Sequence, residues 1–185
     1  MIEPFPIAGE RVVLRRFASD DLAAFQHYRN DPAVGLYQGW RPMTDAQAAS
    51  FIASMRSAPA FAKGEWLQVA VAERASDRLL GDIGLHLSTD DTTAELGFSF
   101  APASQGRGLA SEAVRLAVAS FFAHTPVTQV IGVTDARNEA SIRLLERIGM
   151  TRFATQDAIF RGEPCVEHSY SIARATQELG PSRRR

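Results

Sequence analysis

The segment Gln105-Gly106-Arg107-Gly108-Leu109-Ala110 has the make-up of a turn that can hold an anion. It follows a strand-like stretch and opens a long helical one. Its glycines can turn the backbone until several N–H groups converge, and the start of the helix adds a partial positive charge. Arg107 adds a full one. Such a loop suits a phosphate or pyrophosphate; taken alone, two glycines also serve simply to make a tight strand-to-helix turn. Two nucleotide-binding patterns fit poorly. A dinucleotide fingerprint wants a third glycine where Ser111 stands and an acidic residue about 20 positions on, where Pro126 lies. An ATP phosphate loop ends in Gly-Lys-Ser or Gly-Lys-Thr, and here the residues are Gly108, Leu109 and Ala110. His27, His86, His124 and His168 show no paired metal-ligand spacing, and no metal is expected. Cys165, the one cysteine, can form neither an internal disulfide nor a thiolate cage, and it is read as structural.

The elements that must position this loop follow from periodicity. Arg11 to Phe17 alternates loosely as a strand, and Ser19 and Asp20 offer N-caps for a helix carrying Leu22, Phe25 and Tyr28 that ends near Asn30-Asp31-Pro32. Thr44 caps a second helix through Ala48, Phe51, Ile52 and Met55. Strands are expected at Trp66 to Glu73, Arg78 to Leu87 and Thr93 to Phe100. The last sets Ala94, Leu96, Phe98 and Phe100 on one face and Glu95, Gly97 and Ser99 on the other. A turn built on Asp90 and Asp91 brings His86 opposite Glu95. Gly108 to Phe122 carries a broad apolar stripe, the mark of a helix lying on a sheet. After a strand at Gln129 to Thr134, a fourth helix runs from about Asn138 to Ile148 and stops at Gly149, and strands near Thr151 to Phe160 and Val166 to Ala173 close the series. Strand, helix and strand in succession make 93–100 and 128–134 parallel neighbours in a mixed α/β sheet with antiparallel flanks.

Composition narrows the function classes. The chain has 185 residues, 45% hydrophobic and 22% charged, with a net charge of −1. This is an ordinary globular balance, and one domain over 1–175 is expected, followed by a tail at 176–185. There is no overall field to gather a polyanion, so stable nucleic-acid binding is not expected, and Arg183, Arg184 and Arg185 read as a solvated tail. The longest apolar run, Leu116 to Ala123, is too short to span a membrane, and the proline-broken, acidic start lacks the pattern of a signal peptide. A cytoplasmic location is expected.

Gln105, Gly108 and Ala110 fill the pattern Gln/Arg-x-x-Gly-x-Gly/Ala, and Asn138 through Met150 follows Asn-x-x-Ser/Ala with an Arg-x-Gly-Met ending. In both motifs the chain resembles the GNAT superfamily of N-acetyltransferases, and the likeness runs from about residue 9 to 174. Ala94 through Phe98 and Gly162 through Tyr170 are similar to the branch of ribosomal-protein N-terminal acetyltransferases. The resemblance implies a GNAT-like fold of about seven strands and four helices. Its sheet would be splayed between the two parallel strands, with acetyl-CoA in the split. It implies cofactor contacts at Gly106, Arg107, Leu109 and Asn138 besides the motif residues, and pairing of the pantetheine arm with the backbone of Phe98, Ser99 and Phe100.

The implied reaction is direct transfer of an acetyl group to a primary amine. An amine protonated at neutral pH must first lose a proton, and Glu95 can take it directly or through a water. As a residue alone, Glu95 also reads as an exposed strand carboxylate. Ser141 shares a stripe with Leu144, Leu145 and Ile148, which places its hydroxyl on the buried face of the fourth helix. The resemblance implies a role there near the thioester sulfur, while many relatives carry a tyrosine acid at the position of Leu145. His86 tunes Glu95, lines the acceptor pocket or covers a sheet face. Trp40, with Tyr37 and Gln38, lies in the loop that covers the acceptor site in this family, and reads equally as a core plug. The acceptor is a protein N-terminal α-amine or a small-molecule amine such as a polyamine, an aminoglycoside or an amino-acid-like compound. A non-catalytic acyl-CoA-binding module is the rival, and a homodimer stays open.

Overall fold

The computed structural model describes residues 3–175; the tail expected at 176–185, with Arg183, Arg184 and Arg185, lies outside the described residues. In chain order the elements are β1 (Ile7–Ala8), β2 (Val12–Arg15), α1 (Leu22–Arg29), α2 (Pro32–Gly35), α3 (Asp45–Ser57), β3 (Trp66–Glu73) and β4 (Leu79–Leu87). They continue with β5 (Thr93–Phe100), α4 (Leu109–His124), β6 (Gln129–Asp135), α5 (Glu139–Arg147), β7 (Thr151–Phe160) and β8 (Glu163–Ala173). All the strands join one sheet in the order β1-β2-β3-β4-β5-β6-β8-β7. Every neighbouring pair is antiparallel except β5 with β6. The expected mixed architecture is present, and the described residues hold eight strands and five α-helices. The additions are the two-residue β1 and the single turn α2.

Helices cover both faces of the sheet. On one side, Ala113, Val114, Ala117 and Phe121 of α4 and Leu144 and Leu145 of α5 bury against Leu67, Val69, Ile83, Leu85 and Val130. The apolar stripe of α4 is the one its spacing predicts, and its buried alanines let the helix lie close to the strands. On the other side, α1 and α3 enclose a smaller cluster of Phe17, Phe25, Tyr28, Ala48 and Ile52. Thr44 caps α3 as expected, accepting from the Gln47 N–H, while the Gln47 side chain accepts from the Thr44 N–H.

Three local expectations are corrected. Ser19 and Asp20 do not cap a helix: residues 19–21 form a 3₁₀ turn, and Asp21 accepts from the Ala18 N–H at 2.8 Å while pairing with Arg15 at 2.7 and 2.9 Å. Pro32 does not merely end α1. It begins α2 at a position where its missing N–H costs nothing, with Asp31 as the cap. The last strand starts at Glu163, not Val166, because Arg161 and Gly162 both take positive φ and close a two-residue turn pairing Phe160 with Glu163. Pro164 is tolerated because β6 pairs with β8 only from Glu167 onward, leaving one edge free at residue 164.

The feature that positions the site is the brevity of the parallel pairing. It consists of Thr93 with Gln129, Ala94 with Val130 and Glu95 with Ile131. Beyond Glu95, β5 continues to Phe100 against β4 alone, while β6 continues to Asp135 against β8. The sheet therefore opens into two arms.

Gly81 on β4 shows how tightly the first arm is built. A Cβ there would fall on the Ser99 carbonyl oxygen and within 2.9 Å of the Phe100 Cα, both backbone atoms that cannot swing away. Gly81→Ala is expected to destabilise the fold by about 3 kcal/mol, roughly 6–12 °C in Tm, read by thermal unfolding.

Candidate functional site

The opening between the arms is a cavity of about 580 Å³. Leu96 to Phe100 of β5 form one wall, and Gly132 to Thr134 of β6 with Asn138, Ser141 and Leu145 form the other. Gln105, Gly106, Gly108 and Ala110 reach it from the loop and the start of α4.

The glycine loop has the geometry its sequence predicts. Gly106 and Gly108 take φ of +72° and +78°, which side chains rarely adopt, and nothing lies within 4 Å of where a Gly106 Cβ would stand. No side chain caps α4. Its first N–H groups therefore remain as donors for an anion. Arg11 braces the loop: its guanidinium donates to the Arg107 carbonyl at 3.0 Å and pairs with Glu112 at 3.0 Å. The Gln105 amide donates to the Phe100 carbonyl at 3.0 Å. The loop also presents Ser104, whose buried hydroxyl has no protein partner and whose residue lines the cavity.

Two loop residues expected at the cofactor send their side chains away from the cavity. The Arg107 guanidinium does not line the cavity; it lies 3.8 Å from Glu73, to which its charge is drawn. Leu109 is buried in the core, so only its backbone N–H belongs to the helix start. Asn138 is the N-cap that its sequence reading allows, and it also borders the cavity. Its Oδ1 caps α5 by accepting from the Ser141 N–H at 3.2 Å.

Ser141 is half-buried, not fully buried as its stripe suggests, because the face of α5 it occupies borders the cavity. Its hydroxyl makes no hydrogen bond among the described residues. Leu145 beside it is buried and offers no proton. Glu95 stands where the parallel pairing ends, and His86 is its cross-strand neighbour as the turn predicts. Glu95 lines neither this cavity nor the next. Burial pushes its carboxyl above the ordinary value of 4.5, with His86 opposing that rise and Glu167 adding to it. His86 stacks on Trp66 at 5.1 Å between ring centroids.

Trp40 faces a second cavity of about 410 Å³, which adjoins the first along Gln38, Gly97, Phe98 and Ser99. Here Arg29 and Asp82 form an ion pair at 2.7 Å, with exposures of 3% and 2%, and Tyr28 donates to the same carboxylate. Desolvation beside that carboxylate raises the Tyr28 hydroxyl well above 10, so it stays a donor. The Arg29 guanidinium also lies 4.6 Å from the Trp40 ring centroid.

The loop between α2 and α3 is tied to both arms. Arg161, in the β7–β8 turn, donates to the carbonyls of Gly35, Gln38 and Trp40 at 3.1, 2.9 and 3.0 Å. Gln38 in turn donates to the Phe98 carbonyl at 3.2 Å. Sequence reasoning missed Arg161, Arg29, Asp82 and the contact made by Gln38. The partners lie far apart in the chain, and no local pattern marks them. Among the described residues, no group of three His, Cys, Asp or Glu could hold a metal, and no helix is long and apolar enough to cross a membrane.

Comparison with known proteins agrees with this geometry. Residues 11–151 match the family model of the acetyltransferase (GNAT) domain. The chain is 28% identical over 175 residues to the uncharacterized N-acetyltransferase YoaA of Bacillus subtilis, covering 92% of this chain and 98% of that protein. A GNAT-family acetyltransferase structure from Bacillus anthracis superposes with a TM-score of 0.81 at 26% identity, covering 91% of this chain and 98% of that one. A Vibrio cholerae structure, provisionally described as a ribosomal-protein-serine acetyltransferase, superposes with a TM-score of 0.77 at 22% identity, covering 94% and 100%.

The buried ion pair can be tested without any ligand. Asp82→Asn leaves the Arg29 charge uncompensated in the interior, and is expected to cost about 3–5 kcal/mol of stability by chemical denaturation.

Proposed function

Because the chain belongs to the GNAT family of acetyltransferases, we propose that the split between β5 and β6 holds acetyl-CoA and that its acetyl group passes directly to a primary amine bound on the Glu95 side. The protein is an N-acetyltransferase, and acetyl-CoA is its acyl donor. The observation that carries the assignment of the site is the place where the parallel pairing stops: half-buried Glu95 stands at that point, and the cavity that opens beyond it reaches the uncapped N-terminus of α4.

The residues present fit the cofactor. The open space at Gly106, the uncapped α4 and the orphan Ser104 hydroxyl suit the pyrophosphate end. The edge of β5 suits an arm that pairs like an added strand, through the backbone of Phe98, Ser99 and Phe100. Bound acetyl-CoA supplies a thioester that amines can attack. Glu95 takes the proton from the incoming ammonium or amine, directly or through a water, and its raised pKa brings it closer to the acceptor's range. Ser141, with its uncommitted hydroxyl, donates to the departing sulfur. Leu145 has no proton to give, so this chain does without the tyrosine acid. A thiolate also leaves tolerably unaided, its thiol having a pKa of about 8.5.

Within the family, the branch of ribosomal-protein N-terminal acetyltransferases is the reading favoured by Ala94 through Phe98 and Gly162 through Tyr170. The fold shared with the Vibrio cholerae protein is consistent with it. We place one catalytic unit over 1–175, with a location in the cytoplasm.

Glu95→Gln tests the base. In the wild type the rate is expected to rise with pH through a pKa above the ordinary carboxylate value of 4.5, because only the ionised form accepts a proton and burial delays ionisation. In the variant that acid limb disappears and kcat falls roughly 100-fold, while acetyl-CoA affinity by calorimetry stays within about twofold. An unchanged pH profile would remove Glu95 from the mechanism.

A further inference from the structure

The second cavity gives the acceptor a chemical class. Resting on the transfer reading above, we propose that it is the acceptor pocket and that it selects a primary amine bearing a flat, uncharged aromatic group over a polycation. Gly97 and Ser99 in its wall lie on the same face of β5 as Glu95, since alternate strand residues share a face. An amine at Glu95 thus has its substituent directed along that face. The volume of about 410 Å³ is in the range of small-ligand sites.

Part of its wall is apolar, made by Met43 and by the flat rings of Trp40, Trp66 and Phe51. Trp66 is 44% exposed, a large aromatic surface left open at the rim. Such walls suit ring stacking.

The charges that line the cavity are already spent on each other. Asp82 is the one carboxylate lining it, and it is committed to Arg29 and Tyr28. A polyamine or aminoglycoside would bring several ammonium groups into a cavity with no free carboxylate to receive them. The Trp40 face, which could attract a cation, already meets the Arg29 guanidinium. Two polar atoms of lining residues do remain without protein partners, the Trp40 Nε1 donor and the Gln68 Oε1 acceptor. They suit a neutral group that both accepts and donates. The chemistry is shared by a free arylalkylamine and by a peptide whose first residue is aromatic.

The test uses phenylethylamine, the peptide Phe-Ala-Ala, butylamine and spermidine as acceptors at saturating acetyl-CoA, with thiol release as the readout. In parallel, binding of phenylethylamine to the CoA-loaded enzyme is followed by quenching of tryptophan fluorescence. One of the two aromatic amines is expected to exceed butylamine and spermidine in kcat/KM by about tenfold or more, and which one does so identifies the source. Trp66→Ala, at an exposed position, is expected to raise its KM about tenfold with CoA affinity unchanged. Spermidine or butylamine as the better acceptor, or an unaltered KM in Trp66→Ala, would overturn the pocket assignment and leave acetyl transfer standing. Saturable quenching by phenylethylamine without turnover of any amine would do the reverse.

Discussion

Where β5 parts from β6, the backbone groups on the inner edge of Leu96 to Phe100 lose the ladder that satisfies strands elsewhere in the sheet, and the fold around them is arranged to keep that edge open. Two of its carbonyls are met by side-chain amides, Phe98 by Gln38 and Phe100 by Gln105. Closing the ladder would remove the cavity. Keeping it open requires each arm to be stable without the other. The first arm achieves this through β4 and the close approach at Gly81, and the second through the long pairing of β6, β8 and β7.

The two arms are then fastened at a distance from the opening. Arg161 reaches from the β7–β8 turn to the carbonyl at the end of α2 and to two in the loop after it, and Arg11 joins the start of β2 to Glu112 on α4 and to the glycine loop. Both use arginine: Arg11 divides its contacts between Nε and Nη1, whereas Arg161 makes all three from Nη2. The loop held by Arg161 carries Gln38 and Trp40, and Gln38 borders both cavities. A single side chain on the second arm therefore holds the wall shared by the two cavities.

Much of this was readable from local pattern. The α4 stripe, the Thr44 cap, the positive-φ glycines and the His86–Glu95 register all follow from rules acting over a few residues, and the structure has them. Glycine spacing led to the loop, and the family motif to Asn138; the structure places both at one cavity. What could not be read depends on partners distant in sequence. That the Arg107 side chain lies beside Glu73, away from the cavity, is one such contact. Trp40 looks like a plug or a lid until Arg29 and Asp82 are found beneath it. Ser141 reads as buried because periodicity reports which face of a helix points inward, without reporting that the interior is hollow there.

On the proposed function, the inner edge of β5 and the start of α4 receive the cofactor. Hydrogen–deuterium exchange with and without CoA tests it most directly, because it reports backbone amides one segment at a time. CoA is expected to slow exchange in residues 96–100 and 105–111 together. CoA binding that leaves both segments unprotected, or protects a surface outside the split, would contradict it.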